Sequence, residues 1–250
     1  MKKTLLAASV AALLSVPVHA DMLFGLYLGG EVWQTAPSGT FGPADDMVDF
    51  GLEEEQQTSF HVALEHPIPL IPNIRIASTT LNTSGSTELN DYCFVGTCFD
   101  GSATTDIDVS FIDYTLYYEI LDNSLVTLDV GLTGRNFSGD MSVSGELFGS
   151  ALPTTETLET SLFVPMVYGS AIFGLPFTGL NVFANGNVTS YDDQTIYDLQ
   201  AGIGYELLSN LAVDLNINLG YRIAKLDVGI DSTSADLTYD GAYLGATVHF

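Results

Sequence analysis

An all-β fold is what this sequence predicts: a transmembrane antiparallel up-and-down β-barrel of ten strands, behind a cleaved signal peptide. Three observations predict it. Segment after segment alternates apolar with small or polar residues at period two. Hydrophobic residues make up 46% of the chain, yet no run of about eighteen apolar residues follows residue 20, so no crossing helix is available. The connections alternate between tight turns and longer loops, four against five, the pattern of ten strands with both termini on one side.

The elements follow in order. Lys2 and Lys3 precede an apolar stretch, Leu5 to Val16, that is too short to span a bilayer. Val18-His19-Ala20 is a small-x-small cleavage site, so residues 1–20 read as a signal peptide and 21–250 as the barrel domain. The first strand, 23–34, sets Phe24, Leu26, Leu28 and Val32 on one face. The second, 57–66, sets Phe60, Val62 and Leu64 against His61, Ala63 and Glu65; the third, 73–82, is weaker. The fourth, 106–121, and the fifth, 125–137, alternate clearly, whereas the sixth, 160–174, is apolar on both faces. The seventh, 180–189, opposes Val182 and Val188 to Asn181, Asn185 and Asn187. The eighth, 195–207, and the ninth, 211–222, keep the same rhythm. In the ninth, six apolar positions from Leu211 to Tyr221 interleave with six small or polar ones, which a helical period would scatter. The tenth strand ends at Phe250.

Turn formers mark the short connections: Pro67 to Pro72, Asp122-Asn123, Pro176 to Gly179 and Ser209-Asn210. Longer loops are expected at 36–56, 83–105, 138–159, 190–194 and 226–237. Pro165 inside the sixth strand implies a bulge or a break in pairing, because a closed barrel has no edge to spare for it. A soluble β-sandwich is the rival fold. Its polar face would carry many Lys and Glu, whereas here that face is Gly, Asn, Thr and isolated acids. Aromatics also collect near segment ends, with Phe24, Tyr118, Tyr205 and Phe250 at one rim and Phe60, Tyr197 and Tyr221 at the other. Interfacial girdles sit at such positions.

The last strand, ending on Phe250, resembles the C-terminal signature of bacterial outer-membrane β-barrels. The opening strand, Phe24-Gly25-Leu26-Tyr27-Leu28-Gly29-Gly30-Glu31-Val32-Trp33, resembles that of small outer-membrane β-barrel proteins marked by a Gly-Gly in the first strand. The resemblance implies residence in the bacterial outer membrane, contact with its lipid and lipopolysaccharide, and recognition of Phe250 by the barrel-assembly machinery. It implies no settled biochemical activity. On the residues alone, Gly29 and Gly30 relieve crowding or permit a bulge beside Tyr27 and Trp33.

Beyond the leader, four bases (Arg75, Arg135, Arg222 and Lys225) face 31 acids, which excludes a nucleic-acid partner. Cys93 and Cys98 are the only cysteines, and in an oxidising compartment they are expected to form a disulfide. With no His nearby, two thiolates make only half a tetrahedral metal set, so no metal or cofactor is expected. Inside the barrel, three ion pairs are predicted to tie the lumen shut: Glu65 with Arg75, Asp113 with Arg135, and Asp198 with Arg222. Ten strands lie near the size that side chains fill. The expected role is therefore structural or surface-interacting, in a monomer with a largely occluded, acidic lumen. The alternative is a narrow cation-preferring pore, with a lipid or peptide hydrolase further off. Catalysis is disfavoured because His66 and His249 lie near the periplasmic end and no Ser or Asp motif partners His61. His61 is instead expected to be bonded to a neighbour in the lumen. The loop acids, such as Asp45-Asp46, Glu53-Glu54-Glu55 and Asp192-Asp193, match no calcium-loop pattern and read as solvated surface.

Overall fold

Alternation at period two closes into a ring. The computed structural model describes residues 24–123, 125–150, 152–191, 194–210, 213–230 and 233–250. Its strands are β1 (Gly25–Pro43), β2 (Glu55–Glu65), β3 (Asn73–Thr79), β4 (Asn82–Phe94), β5 (Thr97–Asp108) and β6 (Phe111–Asp122). They continue as β7 (Val126–Leu147), β8 (Pro153–Leu175), β9 (Leu180–Tyr191), β10 (Gln194–Ser209), β11 (Asp214–Ile230) and β12 (Thr233–His249). Every pairing is antiparallel. Ten strands make the ring, in the order β1-β2-β3-β6-β7-β8-β9-β10-β11-β12, and β12 returns to β1. The expected leader, Leu211 and Asp192-Asp193 lie outside the described residues.

The remaining two strands correct the expected loop at 83–105. That segment is a β-hairpin, β4–β5, which prolongs β3 and β6 outward past short breaks at Thr80-Leu81 and Val109-Ser110. Beyond the break, β5 replaces β6 as the partner of β7. Much of the other expected outer loops is strand as well: 36–43, 138–147, 153–159, 226–230 and 233–237. These stretches are rich in Thr, Ser and Gly, so their two faces differ little in polarity and the periodicity is faint.

A bilayer crossing takes about 9–11 tilted residues, so β7 with 22 residues and β8 with 23 stand well clear of it on one side. The apolar outer face occupies the end near the tight turns. Leu28, Val32, Leu116, Leu132, Ile203 and Leu219 are exposed there, to meet lipid. Phe250 is exposed on this face, and its backbone exchanges hydrogen bonds with Leu26 at 3.0 and 3.2 Å. Above Val32 the outward positions of β1 turn to Gln34, Ala36 and Ser38, and the belt ends.

Beyond the belt the wall flattens into two sheets. One comprises β4, β5 and the outer parts of β7 and β8; the other comprises the outer parts of β1, β12 and β11. Phe41, Leu237 and Tyr239 from one sheet join Phe94, Phe99 and Met141 from the other in a single buried core. Phe41 meets Phe94 edge-on at 5.9 Å and stacks on Phe50 of the 44–54 loop at 4.7 Å. Burial holds the Tyr92 hydroxyl well above the usual phenol range while it donates to the Phe41 carbonyl at 3.3 Å. Cys93 and Cys98 form a disulfide across the tip of the hairpin.

Pro165 disrupts pairing on one side only. Against β7 the ladder runs in unbroken register through Gly134–Pro165, without the bulge considered for it. Against β9 it stops at Val167–Val188, two residues short of the proline, which has no N–H to give. The orientation of the sixth predicted strand is also decided: Val164, Met166 and Tyr168 point inward, and Phe163, Pro165 and Val167 outward.

Candidate functional site

The inward side chains divide the lumen into three zones. In the outermost, the apolar core described above continues down to Trp33, whose indole N–H donates to the Gly241 carbonyl at 3.2 Å. Fully burying a large apolar side chain contributes roughly 1.5–3 kcal/mol, so this zone holds the outer half together.

Below it lies a layer of charge. Arg135 forks onto Asp113, with Nε and a terminal nitrogen each 2.7 Å from a carboxylate oxygen. The same terminal nitrogen reaches Asp198 at 2.9 Å. Arg222 forks onto Asp198 from the other side at 2.8 and 2.7 Å, and touches Glu31 at 3.5 Å. Asn187 donates to Asp113 at 3.3 Å and accepts from Thr133 at 2.6 Å. The arginines are capped by aromatic faces, Arg135 at 3.6 Å from the Phe111 centroid and Arg222 at 4.8 Å from that of Trp33. Each charge therefore has hydrogen-bonded partners, without which a buried ion would be untenable.

The backbone register sets which residues meet. Asp113 lies directly opposite Arg135 on β6 and β7. Asp198 is two residues from Gln200, the residue opposite Arg222, so that pair is diagonal. The third predicted pair does not form. Ala63, and not Glu65, lies opposite Arg75, and Glu65 accepts from the Tyr117 hydroxyl at 2.7 Å instead. Sequence reasoning also missed the bond from Arg135 to Asp198, which unites the two pairs across the lumen. Its partners sit on β7 and β10, which are not neighbours, so no spacing could have signalled it.

The innermost zone is a cavity of about 950 Å³ that opens toward the tight turns. Its rim includes Asp122, Asn123, Asp214 and His249. At its inner end, Glu31, Arg75, Tyr168, Asn185 and Gln200 also line a void of about 20 Å³ within the charged layer. The lumen thus holds an open cavity next to the tight turns and packed side chains beneath the outer sheets.

The Gly-Gly pair serves packing. Pairing on both sides of β1 keeps register from Tyr27 to Trp33, so there is no bulge. Gly29 lies opposite His61, whose ring covers it on the lumenal side; Gly30 lies opposite Phe60, whose ring would sit 3.2 Å from an added Cβ on the lipid side. Crowding comes from the neighbouring strand, not from Tyr27 and Trp33. Among the described residues His61 has no hydrogen bond, contrary to expectation. His66 contacts the Pro72 carbonyl at 3.3 Å in a tight turn, and His249 lies 3.5 Å from Asp214 while stacking on Tyr27 at 4.1 Å. All three histidines lie away from the outer rim. The acidic loop between β1 and β2 is tied locally, with Asp49 accepting from the Gly51 amide at 2.8 Å.

No family model and no curated protein sequence matches this chain. Solved structures do. The outer membrane protease OmpT from Escherichia coli aligns over 94% of this chain and 99% of its own, with a TM-score of 0.58 at 10% identity. Ail, the attachment invasion locus protein of Yersinia pestis, aligns over 92% and 100%, with a TM-score of 0.34 at 11% identity. The translocator domain of the autotransporter NalP from Neisseria meningitidis aligns over 98% and 96%, with a TM-score of 0.32 at 12% identity. The first of these likenesses carries the fold. This chain is a bacterial outer-membrane β-barrel in architecture. In barrels of this architecture the short turns lie on the periplasmic side and the longer extensions on the outer side.

Proposed function

We propose that the protein is a closed, non-enzymatic barrel that presents a rigid β-platform above the outer leaflet, in a structural or surface-interaction role. The single observation that carries this reading is the filling of the outer lumen. Trp33, Phe41, Leu237 and Tyr239 are each about 1% exposed or less, directly above the bonded arginines. An ion crossing the barrel would have to unpack both zones. The hairpin tip, stapled by Cys93–Cys98, is the natural contact point for surface partners such as host matrix or lipopolysaccharide. In this reading the chain is a monomer, delivered by its leader and assembled by machinery that reads the strand ending at Phe250.

Reconstitution into planar bilayers tests the closed state. The expected result is silence, and discrete cation-biased steps would favour the pore. Binding of folded barrel to matrix proteins and lipopolysaccharide, with and without residues 89–99, tests the platform. Equal binding by both forms would remove the hairpin from that role.

A further inference from the structure

We propose that the periplasm-facing cavity is a binding site for a peptide chain end that enters with its free carboxylate first and carries basic residues behind it. The reading rests on the cavity alone and holds whatever the outer platform contacts.

Three arginines line the lumen, and they are not alike. Arg135 and Arg222 are buried and fully engaged with carboxylates. Arg75, half-buried at the inner end of the cavity, makes no ion pair and no hydrogen bond among the described residues, in a lumen with a surplus of acid. A guanidinium offers a planar fork of donors that matches a carboxylate. Tyr243, 2% exposed, lines the same cavity, and its hydroxyl has no hydrogen-bond partner among the described residues. Two donors thus line this cavity unbonded among the described residues, while Glu31, the carboxylate at its inner end, faces Arg222 at 3.5 Å.

The way in has the opposite character. Glu65, Asp122, Asp129, Glu206 and Asp214 line the cavity toward its mouth. Asp129 is 9% exposed, and one of its carboxylate oxygens lacks any donor. A simple anion would be repelled along this acidic path before reaching Arg75, and a simple polycation would be repelled by Arg75 on arrival. A molecule with a leading carboxylate and trailing cations satisfies both ends. The volume of about 950 Å³ lies within the range of ligand sites and accommodates a few residues. Two sources share this chemistry: a free short peptide, and the basic C-terminal tail of a periplasmic protein.

The test uses the whole barrel in lipid nanodiscs and calorimetric titration. The probes are tri-lysine with a free carboxylate, tri-lysine amide, spermidine, and a ten-residue peptide ending in three lysines. The free acid is expected to bind roughly ten- to a hundredfold more tightly than the amide, as the loss of charge-assisted hydrogen bonds requires. Arg75→Gln should erase that difference, and Tyr243→Phe should reduce it. Amide or spermidine binding as tightly as the free acid would overturn the proposal, because general attraction to acids favours the more positive ligand. Should Arg75→Gln fail to fold, the acid–amide comparison on the unaltered protein still decides. If the ten-residue peptide binds as well as tri-lysine, the proposal stands with protein tails as the source; if only tri-lysine binds, it stands with free peptides.

Discussion

The two ends of the lumen share one continuous wall, yet one is solid and the other hollow. At the outer end, inward positions carry Trp33, Phe41, Ile107, Met141 and Leu237, and the wall flattens until opposite sheets touch. At the end near the tight turns, inward positions carry Asn181, Asn216, Asn218 and Gly204 with isolated acids, and the wall encloses a cavity. Between them Asp198 holds two arginines from two other strands at once. The difference teaches that strand number does not decide occlusion by itself; the size and polarity of every second residue do.

The sharpest way to break the comparison is to remove the carboxylate at the boundary. Asp198→Ala leaves two buried guanidinium groups short of a partner and should cost about 3–5 kcal/mol, read from urea unfolding in lipid vesicles. Asn216→Ala in the cavity wall should stay within about 0.5 kcal/mol. Similar losses at both sites would mean that the cavity end is as tightly specified as the core.

Glycine substitutions probe the same contrast through available space. Gly39 in the outer extension has a φ of +132°, and an added Cβ would run into the backbone of Asp236. Gly39→Ala should therefore destabilise by about 1–3 kcal/mol from the backbone conformation alone. For Gly29→Ala the nearest atoms belong to the ring of His61, a side chain that lines the cavity, so its cost should be smaller and be relieved in the His61→Ala background. An unrelieved double variant would show that the ring is not the obstacle.

The disulfide tests how independent the hairpin tip is. On the chain-entropy account, Cys98→Ser should weaken the tip by about 2 kcal/mol. Hydrogen exchange should rise in 89–99 and stay unchanged around Arg135. A smaller effect is expected at Lys225, which sits outside the belt 3.1 Å from Asp236. Its hydrogen bond to that carboxylate raises the ammonium pKa above its ordinary value. A raised basic pKa means that the contribution is full below the unfolded-state pKa of lysine and fades as pH rises through the folded one. Lys225→Met should cost no more than about 1 kcal/mol, and only below that alkaline window. A larger loss at neutral pH would point to a role beyond this exposed pair.

Much of this was legible from residue order. Alternation, tight-turn chemistry and aromatic rims gave the ten strands, their up-and-down order and the lipid face, because each is a local property of a strand. The bonds Asp113–Arg135 and Asp198–Arg222 were legible too, because register on neighbouring strands follows from the hairpins that join them. The expected Glu65–Arg75 bond failed by two positions, since the turn between β2 and β3 sets a register that sequence spacing only approximates. Outer strand lengths were missed where Ser and Thr occupy both faces and the polarity contrast vanishes.

What only the tertiary structure decided lies across the barrel, not along its wall. Closing the ring brings β10 to β7 and β11 to β1 from opposite sides, so that Asp198 bridges two arginines and Glu31 meets Arg222. It also leaves Arg75 without a carboxylate partner among the described residues, opposite Ala63 and two positions from Glu65. Where polarity alternates, residue order says which side chains face inward, because that depends on a strand's own period; in the sixth predicted strand, apolar on both faces, only the structure does. Which of them meet in the middle depends on curvature and flattening of the whole wall, a property of all ten strands together.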